Sequence, residues 1–259
     1  HATESTERPG LAEPCAAFLS DGIPGASHIQ HMPSHTWNEV GRWGDSVVAN
    51  TNAWHSDLKA AVGEGVAIYP IHNLRMLLFA ASMDGQGAVA TQAGKDLAKI
   101  GGGTMQQVLT LLRFGRFDEI LEVTDRSSDD VGGGFWDFAH GYARLRMGDS
   151  AAANASLEKV RELARHSEAT YGVHAARQLM GLAAAILEGE ILRERGDLPG
   201  AIAAFQTAAA FDDQQEYDEP EPIPFAARHW LGAALMEAGR YGEAETESRT
   251  ELADHPHNV

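Results

Sequence analysis

Along most of the chain, apolar stretches with helical spacing alternate with short polar breaks that contain glycine. The breaks recur as Gly41-Arg42-Trp43, Met83-Asp84-Gly85, Gly115-Arg116-Phe117, Gly148-Asp149, Gly196-Asp197-Leu198 and Gly239-Arg240-Tyr241. Each follows a mostly apolar segment and precedes an alanine-rich one. That pattern predicts helical hairpins in which glycine takes the left-handed position that ends one helix before the next begins. Seven residues before three of the turns stand Gly141, Gly189 and Gly232, and five residues after four of them stand Ala90, Ala153, Ala201 and Ala244. Small residues at both places predict close helix–helix approach.

Other breaks are longer. The stretch from Ser20 to Ser27, with Gly22, Pro24 and Gly25, separates a first element (residues 1–26) from the repeats (residues 27–259). Asp212 to Pro224 is acidic and carries Pro220, Pro222 and Pro224, which predicts a solvated, extended linker into the last hairpin. Gly101–Gly103 and Gly132–Gly134 read as loops. Pro256-His257-Asn258 has the look of a lead into another helix, and His1-Ala2-Thr3-Glu4 of a helix end.

The repeating unit resembles the tetratricopeptide repeat family. Its best match is Trp230-Leu231-Gly232, Leu235, Gly239-Arg240-Tyr241, Glu243-Ala244-Glu245 and Pro256, followed by the unit around Gly196 with Ala201, Phe205 and Ala208. The units around Gly41, Gly85 and Gly115 are degenerate, and turn spacings of 44, 30, 33, 48 and 43 residues depart from a regular repeat. The resemblance covers residues 27–259. It implies an all-α, right-handed α-α superhelix of about six helix pairs, with a concave groove where a peptide or small molecule binds. Bacterial tetratricopeptide proteins with a His-Met-Pro-Ser-His run and a later Tyr-Pro…His-Asn segment are similar in His31–His35 and Tyr69-Pro70-Ile71-His72-Asn73.

The distinctive chemistry is His28, His31 and His35. At about 100° per residue, offsets of three and seven leave the three imidazoles within about 60° of one another on a helix. Phasing the units on their turn glycines puts these histidines, Asn38, Glu39, His72 and Arg75 at positions that line the groove in the family. His28, His31, His35 and His72 are therefore the expected ligands of a divalent transition metal such as Zn²⁺, Ni²⁺ or Cu²⁺, with affinity expected to collapse below about pH 6. His1, Glu4, Asn38, Glu39 and Arg75 are the other groove candidates. Pro33 either kinks the helix or starts a new one at Met32, which would leave His28 and His31 in a loop.

Charge and composition narrow the classes. With 37 acidic and 20 basic side chains the net charge is −17, which disfavours nucleic acid and anionic membranes. The one cysteine, Cys15, excludes an intrachain disulfide. Apolar runs are too short to span a bilayer and no signal peptide is visible, so the default expectation is a soluble cytoplasmic protein. No His-Glu-x-x-His, phosphate loop or Gly-x-Ser-x-Gly elbow occurs. The leading expectation is a binding scaffold with a histidine-lined groove. The alternatives are a metal-dependent hydrolytic or oxidative enzyme, with Glu39 or Glu4 as base and Arg75 holding an anion, and a plain peptide adaptor. A homodimer through the last repeat is a further expectation.

Overall fold

The computed structural model describes residues 3, 4, 6 and 8–256, apart from the side chains of Asp21 and Asp254. The chain is mainly helical: α1 (Glu13–Gly22), α2 (Ser27–His31), α3 (Pro33–Glu39), α4 (Trp43–Ala61), α5 (Pro70–Met83), α6 (Gly87–Leu97), α7 (Met105–Arg113), α8 (Phe117–Glu122), α9 (Asp130–Arg146), α10 (Ser150–His166), α11 (Ala176–Glu194), α12 (Leu198–Asp212), α13 (Ala227–Glu237) and α14 (Tyr241–Asp254). A two-residue antiparallel pair, β1 (Thr170–Tyr171) and β2 (His174–Ala175), precedes α11. No helix among the described residues is long and apolar enough to cross a membrane.

All six turn glycines have positive φ, from 65° at Gly115 to 85° at Gly148. At each turn the amide after the glycine reaches back five residues to a helix carbonyl, as in Arg42 N to Trp37 O at 2.8 Å and Arg240 N to Leu235 O at 2.8 Å. This is the six-to-one bond of a Schellman cap, and it satisfies carbonyls that the helix end would leave without partners.

The contacts divide the chain into two compact units. The first comprises residues 1–102 with 219–221. In it α1 packs on α3, both α2 and α3 pack on α4, α4 on α5, and α5 on α6. The second comprises residues 103–218 and 222–256, in which successive helices from α9 to α14 pack in order and α7 and α8 lie on α9. Phe135, Phe138, Ile120, Leu145, Leu179 and Phe205 are fully buried in it. Removing such side chains from water contributes about 1.5–3 kcal/mol each.

Several local expectations change. Gly132–Gly134 are not a loop but the first turn of α9, capped by Asp129, whose Oδ1 accepts from Gly132 N at 2.7 Å. The helix start is glycine-rich because side chains crowd it: a Cβ on Gly134 would lie 2.1 Å from Met180 Sδ. Gly141 and Gly189 do sit at close contacts, but against Ser156 and Phe205 rather than the alanines five residues past the turn. A Cβ on Gly232 would meet nothing within 4 Å, so no close approach explains that glycine. The Asp212–Pro224 segment is extended but not solvated through its length. Pro222, Ile223, Pro224 and Phe225 are buried, Gln106 donates to Pro222 O at 2.9 Å, and Arg113 donates to Pro224 O.

Candidate metal centre

Pro33 interrupts the histidine helix without redirecting it. α2 ends at His31 and α3 starts with Pro33 at its first position, where a missing amide costs least. Met32 between them keeps right-handed helical torsions (φ −50°, ψ −36°), so His28, His31 and His35 keep helical phase. The two short helices lie on α4, which brings Asn50 beneath His31. On α5, Asn73 Nδ2 donates to Asp57 Oδ2 of α4 at 2.8 Å and to Ile68 O at 3.3 Å. That bond ties the first turn of α5, and His72 with it, to α4.

Three imidazoles converge: the donor atoms of His31, His35 and His72 lie within 4.8 Å of one another. The ring of His72 meets His31 edge-on at 4.6 Å and stacks near His35 at 5.6 Å between centroids. His31 and His35 are 0% and 2% exposed, and His72 is half-buried.

Hydrogen bonds behind the rings fix which nitrogens face inward. Asn50 Nδ2 donates to Ser46 O at 2.9 Å, which turns Asn50 Oδ1 toward His31 Nδ1, 2.8 Å away. An amide oxygen only accepts, so His31 carries its proton on Nδ1 and Nε2 is a bare lone pair. His35 Nδ1 lies 2.5 Å from Glu4 Oε1 and 3.3 Å from Glu219 Oε2. With a carboxylate accepting there, the proton of His35 sits on Nδ1 and Nε2 is left facing His31. The two Nε2 atoms are 2.8 Å apart. Two lone pairs at that distance repel unless a positive charge lies between them. Both side-chain partners at Nδ1 are of the kind that orients metal-bound histidines and raises their basicity. Burial, then the neighbouring His35, pushes His31 down to about 3, so its imidazole stays neutral and available as a donor.

Comparison with protein-family models and with curated proteins gives no match for this chain.

The predicted residues do not all enter that geometry. His28 is outside the convergent set; its ring stacks on His31 at 5.6 Å and meets the edge of Tyr69 at 5.3 Å. Its Nδ1 is buried without a hydrogen-bond partner, and burial followed by His35 lowers its pKa. Glu4 is 5% exposed and sits behind His35, on the far side of the ring from Nε2. That position makes it an orienting group rather than a base for a water at the Nε2 side. Asn38 and Glu39, late in α3, are half-buried; Glu39 is in neither convergent group, and Asn38 Oδ1 is buried without a hydrogen-bond partner. Arg75 is half-buried one turn along α5 from His72. His1 lies outside the described residues.

Two residues escape the sequence reading. Asn50 lies mid-helix in α4 with nothing local to mark it. Glu219 comes from the acidic, proline-rich segment read as linker, and only the tertiary fold brings it to His35. Tyr69, edge-on to His28, has φ 58° immediately before Pro70. A left-handed tyrosine is a strained arrangement of the kind that clusters at functional sites.

Proposed function

We propose that this protein binds one divalent transition metal ion, Zn²⁺, Ni²⁺ or Cu²⁺, through His31 Nε2, His35 Nε2 and His72. Its scaffold is a tetratricopeptide-type superhelix. The observation that carries the reading is the 2.8 Å approach of two imidazole nitrogens whose opposite nitrogens are both engaged with acceptors. A shared proton would relieve that pair alone. A metal also accounts for the third imidazole drawn to the same point. Tetrahedral coordination at about 2.0–2.1 Å per nitrogen sets neighbouring nitrogens about 3.3 Å apart, so binding opens the His31–His35 pair by about half an ångström. Three nitrogens leave at least one position for water or an incoming ligand.

The test is elemental analysis and calorimetric metal titration of untagged protein, with His31→Ala and His35→Ala alongside. At least one tight equivalent, lost in both variants, is the expected result. Folded wild type that takes up no Zn²⁺, Ni²⁺ or Cu²⁺ overturns the proposal.

A second reading, in which the metal is catalytic, is favoured by His28. Its buried Nδ1 has no hydrogen-bond partner, and the ring bridges His31 and the exposed Tyr69. An imidazole in that position would pass protons between solvent and a metal-bound water. Turnover of an ester or amide that His28→Ala abolishes while metal content is unchanged would support it. Equal turnover in wild type and His28→Ala would remove it.

A further inference from the structure

The face of His35 turned away from His31 holds a second set of potential ligands. Glu4 Oε1 and Glu219 Oε2 both approach the same atom, His35 Nδ1, at 2.5 and 3.3 Å, and the three donor atoms lie within 4.8 Å of one another. The carboxylates come from distant parts of the chain. Glu4 lies near the N-terminus. Glu219 belongs to a three-residue stretch, 219–221, that joins the first unit while the chain on both sides belongs to the second.

One nitrogen carries one proton, and that proton points at one carboxylate. Two carboxylates meet on that one nitrogen, and Glu4 is 95% removed from solvent. A divalent cation at this point, unlike a proton, attracts both carboxylates at once. We propose that His35 is a bridging ligand, with a second cation held by His35 Nδ1, Glu4 and Glu219.

This inference rests on the first metal site. The first ion binds the Nε2 side while Nδ1 keeps its proton toward Glu4. The second ion takes the Nδ1 lone pair and releases that proton to the buffer, so His35 becomes an imidazolate shared by two ions about 6 Å apart. The two sites differ in character. Three imidazoles favour Cu²⁺, Ni²⁺ or Zn²⁺, whereas one nitrogen with two carboxylates also suits harder ions such as Mn²⁺.

The experiment is a Cu²⁺ titration of the full, untagged chain followed by electron paramagnetic resonance, with Glu219→Gln and Glu4→Gln in parallel and circular dichroism to confirm folding. Two equivalents are expected. The first gives an isolated-ion signal. The second reduces the integrated signal well below that of two isolated ions, because the spins couple through the shared ring. Each variant is expected to stop at one equivalent and keep the isolated-ion signal. Wild type that stops at one equivalent overturns the bridge and leaves the first site standing. Two equivalents with full, uncoupled intensity also overturn it. No uptake at all overturns both readings.

Discussion

His31 and His35 point their Nε2 atoms at each other across 2.8 Å, and each ring is held in that orientation from behind, by Asn50 and by Glu4. One helical turn supplies the pairing. The two acceptors supply its polarity. Asn50 is the more revealing of the two, since it is fully buried and bonded to the backbone at Ser46. Replacing it with leucine leaves His31 Nδ1–H without its amide acceptor. Affinity for Zn²⁺ is expected to fall 10–100-fold while the three ligands stay in place, and stability by about 1–3 kcal/mol. A competition titration against a chromogenic chelator reads the first quantity. Unchanged affinity would mean that Asn50 serves packing only.

Metal loading should stabilise the folded chain. At a free concentration a hundred times Kd, binding to the native state alone adds about 2.7 kcal/mol. Scanning calorimetry with metal, and with metal plus EDTA, is expected to show an upward shift of the melting transition that the chelator reverses. A transition that ignores both additions counts against the site.

The second unit carries its own pH sensitivity in His140. Its ring stacks on Trp136 at 3.5 Å and donates from Nε2 to Val123 O at 3.2 Å. Burial, partly offset by that hydrogen bond, pushes it down to about 4. The unfolded chain, with an ordinary histidine near 6.5, takes up the proton first. The contribution is therefore complete above about pH 6.5 and is lost as pH falls toward 4, by on the order of 2 kcal/mol. Urea unfolding at pH 7 and pH 4.5 should show a smaller loss for His140→Gln than for wild type. Equal losses would place the sensitivity elsewhere.

Two glycines seven residues before their turns should respond to alanine in opposite directions. At Gly189 a Cβ would lie 2.4 Å from the fully buried ring of Phe205, which has nowhere to move. Gly189→Ala is expected to destabilise by about 1–3 kcal/mol through overpacking. At Gly232, inside α13, a Cβ meets nothing, and Gly232→Ala is expected to stabilise by up to about 1 kcal/mol from helix propensity. Thermal melts of the two variants check the sign of each.

The contrast between these glycines shows what the sequence makes legible. The turn glycines are read correctly because their job is local: each closes a helix whose end is visible in the pattern. Gly232 is not, because spacing alone cannot show whether a neighbour presses on it. Gly132–Gly134 mislead for the same reason. A glycine run reads as a loop until Met180 and Arg126 are seen to crowd it. At the site, His31, His35 and His72 stand out through helical spacing and the phase of the turns. Helical phase also brings His28 into that group, yet tertiary packing turns it toward Tyr69. Asn50 resembles any mid-helix asparagine. Glu219 sits among acidic neighbours and prolines whose composition points to solvent.

Glu219 also imposes an order of events. Residues 4, 31, 35 and 72 lie in the first hundred of the chain, whereas their remaining carboxylate comes from residue 219, most of the way along it. During synthesis the three-histidine cluster has all its donors long before that carboxylate exists. A nascent chain would thus hold the donors of the proposed nitrogen site early and the last donor of the proposed mixed site only once α12 has been made.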